Sequence, residues 1–369
     1  MEAWSLHSLF LLTQKSLSTD KSINVLEYAR NLRKKNLPVI FNIKHLSLIT
    51  KIEKQFIYSS ILRQRQENDY KIFTIRKRDG KYRTIHAPNE KLKSIQSYIN
   101  REILSKISPH HSCFSYHPNG GIKKCALQHT EAKLLFKYDL EDFFFHINEI
   151  SIYKFFLELG YTSEISFQFA RLCTTTRIRE FGKYIKTYKK QEIGVLPQGA
   201  PTSPALSNFL AKGLDEELTL FAESMNMIYT RYSDDITFSS SVFFSREEIK
   251  KINSHIFSIV RKHRFRINKN KTSVSRSGAR KSVLGILVHD THLRIHKFHR
   301  KKIDTFLYSI DKFGWDSAAN YYNFASPYGL ANHLSGLITY INHIDENLGE
   351  KYRNKYQDLI GKLKYAFFD

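Results

Sequence analysis

The stretch "IYTRYSDDITFS", residues 228–239, places two adjacent aspartates between two short runs of tyrosine, isoleucine, threonine and phenylalanine. Runs of this composition favour β-strands, and Ser-Asp-Asp between them is typical of a tight turn. The segment is therefore predicted to be a β-hairpin with Asp234 and Asp235 at its tip. Two neighbouring like charges repel each other, so the pair is either a solvated turn or part of a metal site.

A third carboxylate favours the metal site. Residues 133–140, "KLLFKYDL", are predicted to form a short apolar strand with Asp139 at its end. Carboxylates that converge from a strand end and a hairpin tip repel each other unless cations neutralise them. Two Mg²⁺ ions about 3.5–4 Å apart would do so, one activating an attacking hydroxyl and the other stabilising a leaving pyrophosphate. Asp139, Asp234 and Asp235 are the predicted ligands, with Asp139 and Asp234 closest to both ions. The alternative is three independent turn acids.

The composition points to a polyanionic partner. The chain has 369 residues, long enough for two or three domains, and 41% of them are hydrophobic, which argues against disorder. Its 58 Lys and Arg against 35 Asp and Glu give a net charge of +23, and such an excess favours binding to phosphates. The 27 Phe and 21 Tyr add rings on which bases can stack, although most of them are expected in the core.

Membrane insertion and disulfide bonding are both disfavoured. No apolar run approaches the roughly 20 residues of a spanning helix. Three cysteines without a CxxC pair indicate a reduced, cytoplasmic protein without structural disulfides. A separate group of candidate zinc ligands lies close together in the sequence: His110, His111, Cys113, Cys125 and His129. Its spacing matches none of the usual structural zinc patterns, so zinc is the weaker alternative.

The remaining chain alternates between helical and extended patterns. The segments with a predicted structure are helices in 1–65, a hairpin at 70–88 turning at Asp79-Gly80, a helix at 92–104, a helix that Asn148 or Ser151 could cap and that ends at Gly160, a basic hairpin at 174–192, a helix at 246–263 and helices from 290. Ser203 is predicted to be an N-cap, with Pro204 at the first helical position. The leucines that follow at four-residue spacing predict one long helix with a buried face.

Several segments taken together resemble the core motifs of reverse transcriptases. They are "YDLEDFF" (138–144), "LPQGAPTSPALSN" (196–208), "YSDD" (232–235), "INKNKT" (267–272), "VLGILV" (283–288) and, upstream, "KRDGKYRTIHAPNEKLKSIQ" (77–96). The resemblance covers roughly residues 30–345. It implies an α+β, right-hand polymerase with fingers, an RRM-like palm containing an antiparallel sheet, and a helical thumb. The implied domains are an N-terminal helical extension at 1–29, fingers at 30–130, palm at 131–289 and thumb at 290–369.

Within that family the sequence looks most like the retron type. The short N-terminal region with "NLPVI", the strand end "DLEDFFF" and the compact length agree with it. Retron enzymes carry NAxxH and VTG motifs, and here the corresponding stretches are "CALQH" (125–129) and "VLG" (283–285). Cys125 thus replaces the asparagine and Leu284 replaces the threonine, which bears on how RNA is held.

The resemblance implies an activity and its partners. The expected enzyme is an RNA-directed DNA polymerase that uses two Mg²⁺ ions and deoxynucleoside triphosphates. It would copy a cognate structured noncoding RNA from a 2′-hydroxyl primer into a branched RNA–DNA hybrid (msDNA). Such systems commonly defend bacteria against phage together with an effector protein. No ribonuclease H segment is evident, so template removal is expected from a host ribonuclease H.

The resemblance also implies roles for single residues around the nucleotide. The backbone carbonyl of Leu140 would complete a metal shell, and Phe144 would exclude a 2′-hydroxyl from the sugar, unless it is simply core. Gln198 and Gly199 would line the nucleotide pocket. The remaining expectations concern basic residues. Lys81 and Arg83 would bind the triphosphate, and Lys271 would protonate the pyrophosphate or contact phosphate. Template contacts or mere solvation are expected for Arg76, Lys77 and Arg78, and contacts from the thumb to the RNA backbone for Lys297, Arg300 and Lys301.

The sequence leaves other functions open. One is a reverse transcriptase of another bacterial group, such as a diversity-generating or abortive-infection enzyme. Another is template-independent DNA synthesis by the same palm. From a different class, the chain could be a catalytically silent RNA-binding scaffold, which the three aspartates argue against.

Overall fold

The computed structural model describes residues 5–76, 80, 82–176, 179–180, 183–184, 193–276 and 278–365. Within them the helices are α1 (Leu6–Gln14), α2 (Thr19–Lys34), α3 (Ile43–Thr50), α4 (Lys54–Ile61), α5 (Gln66–Asp69), α6 (Glu90–Glu102), α7 (Ile122–Leu127), α8 (Glu149–Leu159), α9 (Ser163–Leu172), α10 (Ser203–Leu210), α11 (Lys212–Ser224), α12 (Arg246–Lys262), α13 (Lys297–Tyr321), α14 (Pro327–Ile344) and α15 (Glu346–Tyr365). The strands are β1 (Tyr70–Arg76), β2 (Tyr82–Pro88), β3 (Leu134–Asp139), β4 (Arg179–Glu180), β5 (Lys183–Tyr184), β6 (Ile228–Tyr232), β7 (Asp235–Ser240), β8 (Ser273–Ser275), β9 (Ser282–Val283), β10 (Ile286–Val288) and β11 (Leu293–Arg294). The predicted α+β class is confirmed.

A four-stranded antiparallel sheet, the palm sheet, lies at the centre. Its strand order is β6-β7-β3-β8, so the hairpin that carries Asp234 and Asp235 pairs with the strand of Asp139. The register sets Asp139 opposite Asp235 and Leu135 opposite Ser239. Because side chains alternate along a strand, this register puts Asp139 and Asp235 on the same face of the sheet.

The two faces of the palm sheet have different coverings. The helix-covered face carries Phe136, Tyr138 and Phe238, which belong to the large core shared with α11 and α12. The opposite face, here called the cleft face, carries Leu135, Ser239 and the two aspartates; Leu135 belongs to a second core with α7 and the thumb. The cleft face therefore carries both the predicted metal ligands and contacts to the second core.

The predicted fingers share one hydrophobic core with the palm. Helix α2 runs from Thr19 to Lys34, so it passes through the boundary predicted at residues 29/30. Hairpin β1–β2 pairs from Tyr70–Pro88 to Arg76–Tyr82, as predicted, and residues 77–79 and 81 between the strands lie outside the described residues. The amide of His86 on β2 donates to the carbonyl of Gln198 at 2.8 Å, which ties the fingers hairpin to the palm.

The three C-terminal helices α13, α14 and α15 build the second core. Strands β9, β10 and β11 form a small sheet before them, so the region after residue 290 begins with a short strand rather than with a helix. Gly314 interrupts α13 with a φ of 80°, a conformation that glycine adopts without steric cost. No helix among the described ranges is long and apolar enough to cross a membrane.

Local signals of helix ends were correct in one place and wrong in another. The Asn148 side chain caps α8 by accepting from the amide of Ser151, and Gly160 ends that helix with a φ of 105°, both as predicted. The predicted cap at Ser203 is wrong: Ser203 is the first residue of α10, and the N-cap position is occupied by Thr202. The Ser203 hydroxyl donates to the carbonyl of Pro197 at 2.7 Å. The single long helix is also wrong: the chain breaks at Ala211 into α10 and α11.

Candidate active site

Three carboxylates meet at one end of the palm sheet. Strand β3 ends at Asp139, β7 begins at Asp235, and the two residues pair across the sheet. The amide of Leu140 donates to the carbonyl of Asp234 at 2.8 Å, which fastens the hairpin tip to the strand end. Ser233 turns the chain with a φ of 59°, a left-handed conformation uncommon for a residue with a Cβ. Sheet register and turn together bring the predicted metal ligands to one place.

The electrostatics of this cluster favour a bound cation. Burial raises the pKa of Asp235 to about 6, and the negative charges of Asp234 and Asp139 add to the effect. The pKa of Asp234 is also raised, chiefly by burial and further by the charge of Asp139. Both shifts mean that ionising the cluster is costly without a neutralising partner. Carboxylate oxygens are the hard ligands that Mg²⁺ prefers, so the donor set fits that ion.

Lys271 supplies positive charge in this structure. Its ammonium donates to Oδ1 of Asp139 at 2.6 Å, and the side chain is half exposed. Burial would lower the pKa of Lys271, but the bond to Asp139 and the charges of the aspartates offset this and raise it. The backbone carbonyl of Asp139 also accepts from the amide of Asn268 at 2.8 Å, so the segment that carries Lys271 is anchored to the strand end.

The aspartates are not preassembled as a closed metal site. Across the part of the chain that the structure describes, no group of three or more His, Cys, Asp or Glu side chains is arranged to hold an ion. The Lys271 ammonium lies on Asp139 instead. An ion bound by Asp139 would therefore compete with that ammonium for the same oxygen.

The predicted nucleotide segment lies against the fingers hairpin. Gly199 has a φ of 125°, and a Cβ there would lie 2.9 Å from the carbonyl oxygen of His86, so only glycine fits without displacement. The ring of Phe145 meets His86 edge-on at 6.1 Å between centroids. Arg83 is exposed on the same strand as His86. Gln198 and Gly199 thus adjoin the strand that carries one predicted triphosphate ligand.

The other predicted nucleotide residues follow the end of β3. Leu140 is buried, and its main chain forms a bridge with Ile267. Phe144 is partly buried, and its ring lies 5.6 Å from that of Phe143. This exposure fits both the sugar-gate role and the core role of Phe144.

The predicted nucleic-acid residues lie on strand β1, on helix α13 or outside the described residues. Lys77, Arg78 and Lys81 lie outside the described residues. Arg76 is exposed at the end of β1. The thumb group is found on the first turns of α13: Lys297, Arg300 and Lys301, all exposed.

The "CALQH" stretch has a structural setting that argues against zinc. His129 is fully buried, and its two ring nitrogens lie 2.7 Å from the hydroxyls of Ser239 and Thr230. The thiol of Cys125 donates to the same Thr230 hydroxyl at 3.4 Å. Burial lowers the pKa of His129 to about 3, so its ring is neutral. Both members of the motif bind the palm sheet rather than a metal.

Sequence reasoning missed a buried ion pair beneath the Ser233 turn. Arg231, two residues before Ser233, is fully buried and pairs with Asp215 of α11. One signal was available: Asp215 falls between the core positions Leu214 and Leu218 on the buried side of an amphipathic helix. A charged residue there requires a buried partner, although the sequence does not say which.

Comparison with known proteins identifies the family. The model of the family described as reverse transcriptase (RNA-dependent DNA polymerase) matches residues 75–350. The chain is 29% identical over 340 residues to the retron Ec86 reverse transcriptase of Escherichia coli, covering 89% of this chain and 98% of that protein. It is 33% identical over 296 residues to the Escherichia coli retron Ec73 reverse transcriptase, covering 78% of this chain and 86% of that protein. The chain belongs to the reverse transcriptase family, and within it to the retron type.

Its activity is accordingly that of an RNA-directed DNA polymerase, a family that generally uses a divalent metal. Among solved structures, Candida albicans telomerase in complex with a TWJ fragment of telomeric RNA aligns with a TM-score of 0.42 at 12% identity. That alignment covers 83% of this chain and 61% of the telomerase chain.

Proposed function

We propose that this enzyme copies a cognate structured noncoding RNA into a branched RNA–DNA hybrid (msDNA), using two Mg²⁺ ions. The observation that carries the proposal is the convergence of three carboxylates at the end of the palm sheet, with Asp139 paired opposite Asp235 and Asp234 in the adjoining turn. The raised pKa values of Asp234 and Asp235 support a cation there. The similarity to retron enzymes supports the substrate.

In this proposal the chain's own groups align the reactants. Asp139, Asp234 and Asp235 hold the ions, and the backbone carbonyl of Leu140 adds an oxygen next to them. The bound metal supplies activation of the priming hydroxyl and charge neutralisation at the leaving pyrophosphate. Lys271, which already contacts Asp139, is close enough to the cluster to donate a proton to the departing pyrophosphate.

The incoming deoxynucleotide would lie between the palm and the hairpin β1–β2. Arg83, together with Lys81, would bind the triphosphate, and Gln198 with Gly199 would line the pocket, since their loop packs on His86. Phe144, which lies in the 3-10 helix Phe143–His146 that follows β3, would exclude a ribose 2′-hydroxyl.

The proposed macromolecular partners follow from the charge and from the relatives. A net charge of +23 supports binding to RNA and its DNA product, through Arg76, Lys77 and Arg78 near the template and Lys297, Arg300 and Lys301 on the thumb. Host ribonuclease H would remove the template, and an effector protein would act with the enzyme in anti-phage defence. All three cysteines are buried and free of disulfides, which supports the proposed cytoplasmic location.

Sequencing the nucleic acid that copurifies with the full chain tests the retron assignment. We expect one small DNA joined through a 2′-linkage to one discrete RNA in the wild-type preparation. Random cellular RNA without linked DNA would contradict it. A short inverted-repeat RNA gene next to the coding region separates the retron type from diversity-generating and abortive-infection enzymes. Omitting RNA from a DNA-synthesis assay separates template-dependent from template-independent synthesis.

A further inference from the structure

A single guanidinium lies beneath the hairpin that carries Asp234 and Asp235. The side chains of Arg231 and Asp215 are both fully buried. Nε of Arg231 donates to Oδ1 of Asp215 at 2.7 Å and Nη2 donates to Oδ2 at 2.6 Å, a two-pronged pairing of fixed orientation. Burial alone would lower the pKa of Arg231, but the Asp215 carboxylate more than offsets this and raises it. The guanidinium is therefore charged.

The remaining nitrogen of Arg231 reaches the catalytic turn itself. Nη1 donates to the backbone carbonyl of Ser233 at 3.1 Å, and the amide of Ser233 donates to the hydroxyl of Ser115 at 2.9 Å. Ser233 has a φ of 59° and directly precedes Asp234. Both main-chain polar groups of a residue in a left-handed conformation are thus held by buried partners. Such a conformation persists only where the surroundings specify it.

The same guanidinium also contacts two further segments of the site. Nη1 donates to Oδ1 of Asn208, which lies on α10 just after "LPQGAPTSPALS", at 3.2 Å. Asn208 and Ser115 bond to each other twice, at 2.7 and 3.1 Å. The ring of Phe143, four residues after Asp139, lies 5.6 Å from the guanidinium carbon. Arg231 therefore connects the catalytic hairpin, α10, α11 and the turn after Asp139.

Stability by itself does not account for this arrangement. Replacing a buried ion pair with apolar residues of similar volume is often neutral or stabilising. An apolar pair could fill the same space, but it could not donate a hydrogen bond to the carbonyl of Ser233. What the charged pair adds is a fixed turn geometry.

We propose that Arg231, oriented by Asp215, is a positioning residue that fixes the Ser233 turn and thereby directs Asp234 and Asp235 toward the reactants. The inference rests on the proposed function, because it assigns the aspartates to catalysis. It predicts that loss of the pair slows the chemical step and leaves nucleotide binding nearly unchanged.

The test is the double substitution Asp215→Leu with Arg231→Met in the full-length protein, assayed on an RNA template with Mg²⁺. A displacement of about 1 Å can cost about 100-fold in rate, so we expect kcat to fall by about 10- to 100-fold. The KM for deoxynucleotides should change by less than about threefold. The denaturation midpoint should fall, because Tyr229, Asn208 and the carbonyl of Ser233 each lose a buried hydrogen-bond partner.

The matched control is Glu217→Gln with Lys262→Met. This double substitution also removes an ion pair of α11, at 2.9 Å, but on the surface and without contact to the turn. Its kcat and KM should both equal those of the wild type.

A second variant covers the case in which the double substitution does not fold. Ser115→Ala removes one hydroxyl that accepts from the amide of Ser233 and leaves the ion pair in place. We expect kcat to fall by about 5- to 10-fold with an unchanged KM. If the double variant folds and polymerises within about twofold of an active wild type, the positioning role is overturned. If the double variant does not fold, the same result for Ser115→Ala overturns it. A wild type without template-dependent synthesis overturns the proposed function, and the positioning role with it.

Discussion

The side chains of the neighbouring residues Thr230 and Arg231 on strand β6 lie on opposite faces of the palm sheet. Each belongs to a different kind of polar network. On the cleft face, Thr230 and Ser239 bind His129, whose pKa is lowered to about 3 by burial without any opposing charge. On the helix-covered face, Arg231 stays charged because Asp215 meets it with two hydrogen bonds. A buried ionisable group is therefore kept neutral where only hydroxyls surround it and kept charged where a carboxylate pairs with it.

The two networks also have different structural roles. The neutral network joins helix α7 to the sheet, and its partners are side-chain hydroxyls on two strands. The charged network reaches the backbone carbonyl of Ser233, next to Asp234. Docking needs only satisfied hydrogen bonds, whereas fixing a left-handed turn needs a donor of defined direction, which a guanidinium supplies.

The largest expected effect on stability comes from removing Arg231 while Asp215 stays in place. Arg231→Met alone leaves Asp215 buried without its cation, which should lower the free energy of unfolding by about 3–5 kcal/mol. Chemical denaturation of this variant beside the double variant Asp215→Leu with Arg231→Met checks it. The double variant should recover part of the loss, because it leaves no unpaired charge but still removes the buried partners of Tyr229 and Asn208. Equal destabilisation of both variants would show that packing, rather than the unpaired charge, sets the cost.

A smaller effect is expected from acidifying the neutral network. The pKa of His129 is about 3 in the folded protein against an ordinary 6.5, so the unfolded chain binds the proton first as the pH falls. The stability that His129 contributes through this pKa difference is fully present above pH 6.5 and is lost progressively as the pH falls toward 3. Between pH 7.5 and 5 this loss should reach about 2 kcal/mol.

The variant His129→Gln provides the comparison for this prediction. An amide can still donate and accept hydrogen bonds but does not titrate, so its free energy of unfolding should fall by about 2 kcal/mol less over the same pH interval. Parallel pH dependences of the two proteins would contradict the assignment of a buried neutral ring.

The smallest effect is expected at Cys125, where the thiol bond to Thr230 is 3.4 Å long. Cys125→Ser keeps a donor at this position and removes only the larger sulfur, so the free energy of unfolding should change by less than about 1 kcal/mol. Thermal denaturation checks it. A much larger loss would mean that Cys125, rather than His129, carries the docking of α7.

The parts that the sequence predicts well are those governed by local pattern. Alternating β-branched and aromatic residues give β6 and β7, and polar turn residues between them give the hairpin that places Asp234 and Asp235. An apolar run ending in a carboxylate gives β3. The pairing of Asp139 with Asp235 follows once the two segments are assumed to share a sheet.

The parts that the sequence predicts poorly depend on contacts between distant segments. Asp215 and Arg231 look like ordinary charged residues until α11 is packed under β6. Ser203 is typical of an N-cap, but α10 begins one residue earlier than predicted, with Thr202 in the N-cap position. The residue roles at the site and the domain boundaries stay predictions, and Lys77, Arg78 and Lys81 lie outside the described residues.

The most direct test of the catalytic assignment is single-turnover incorporation of a deoxynucleotide on an RNA template with Mg²⁺. The variant Asp234→Asn with Asp235→Asn should lose at least about 1,000-fold in rate while its thermal midpoint does not fall, because the substitution also removes charge repulsion. The control Asp142→Asn changes an exposed acid three residues beyond Asp139 and should keep the wild-type rate. Unchanged DNA synthesis by the double variant would contradict the assignment of Asp234 and Asp235 as catalytic carboxylates.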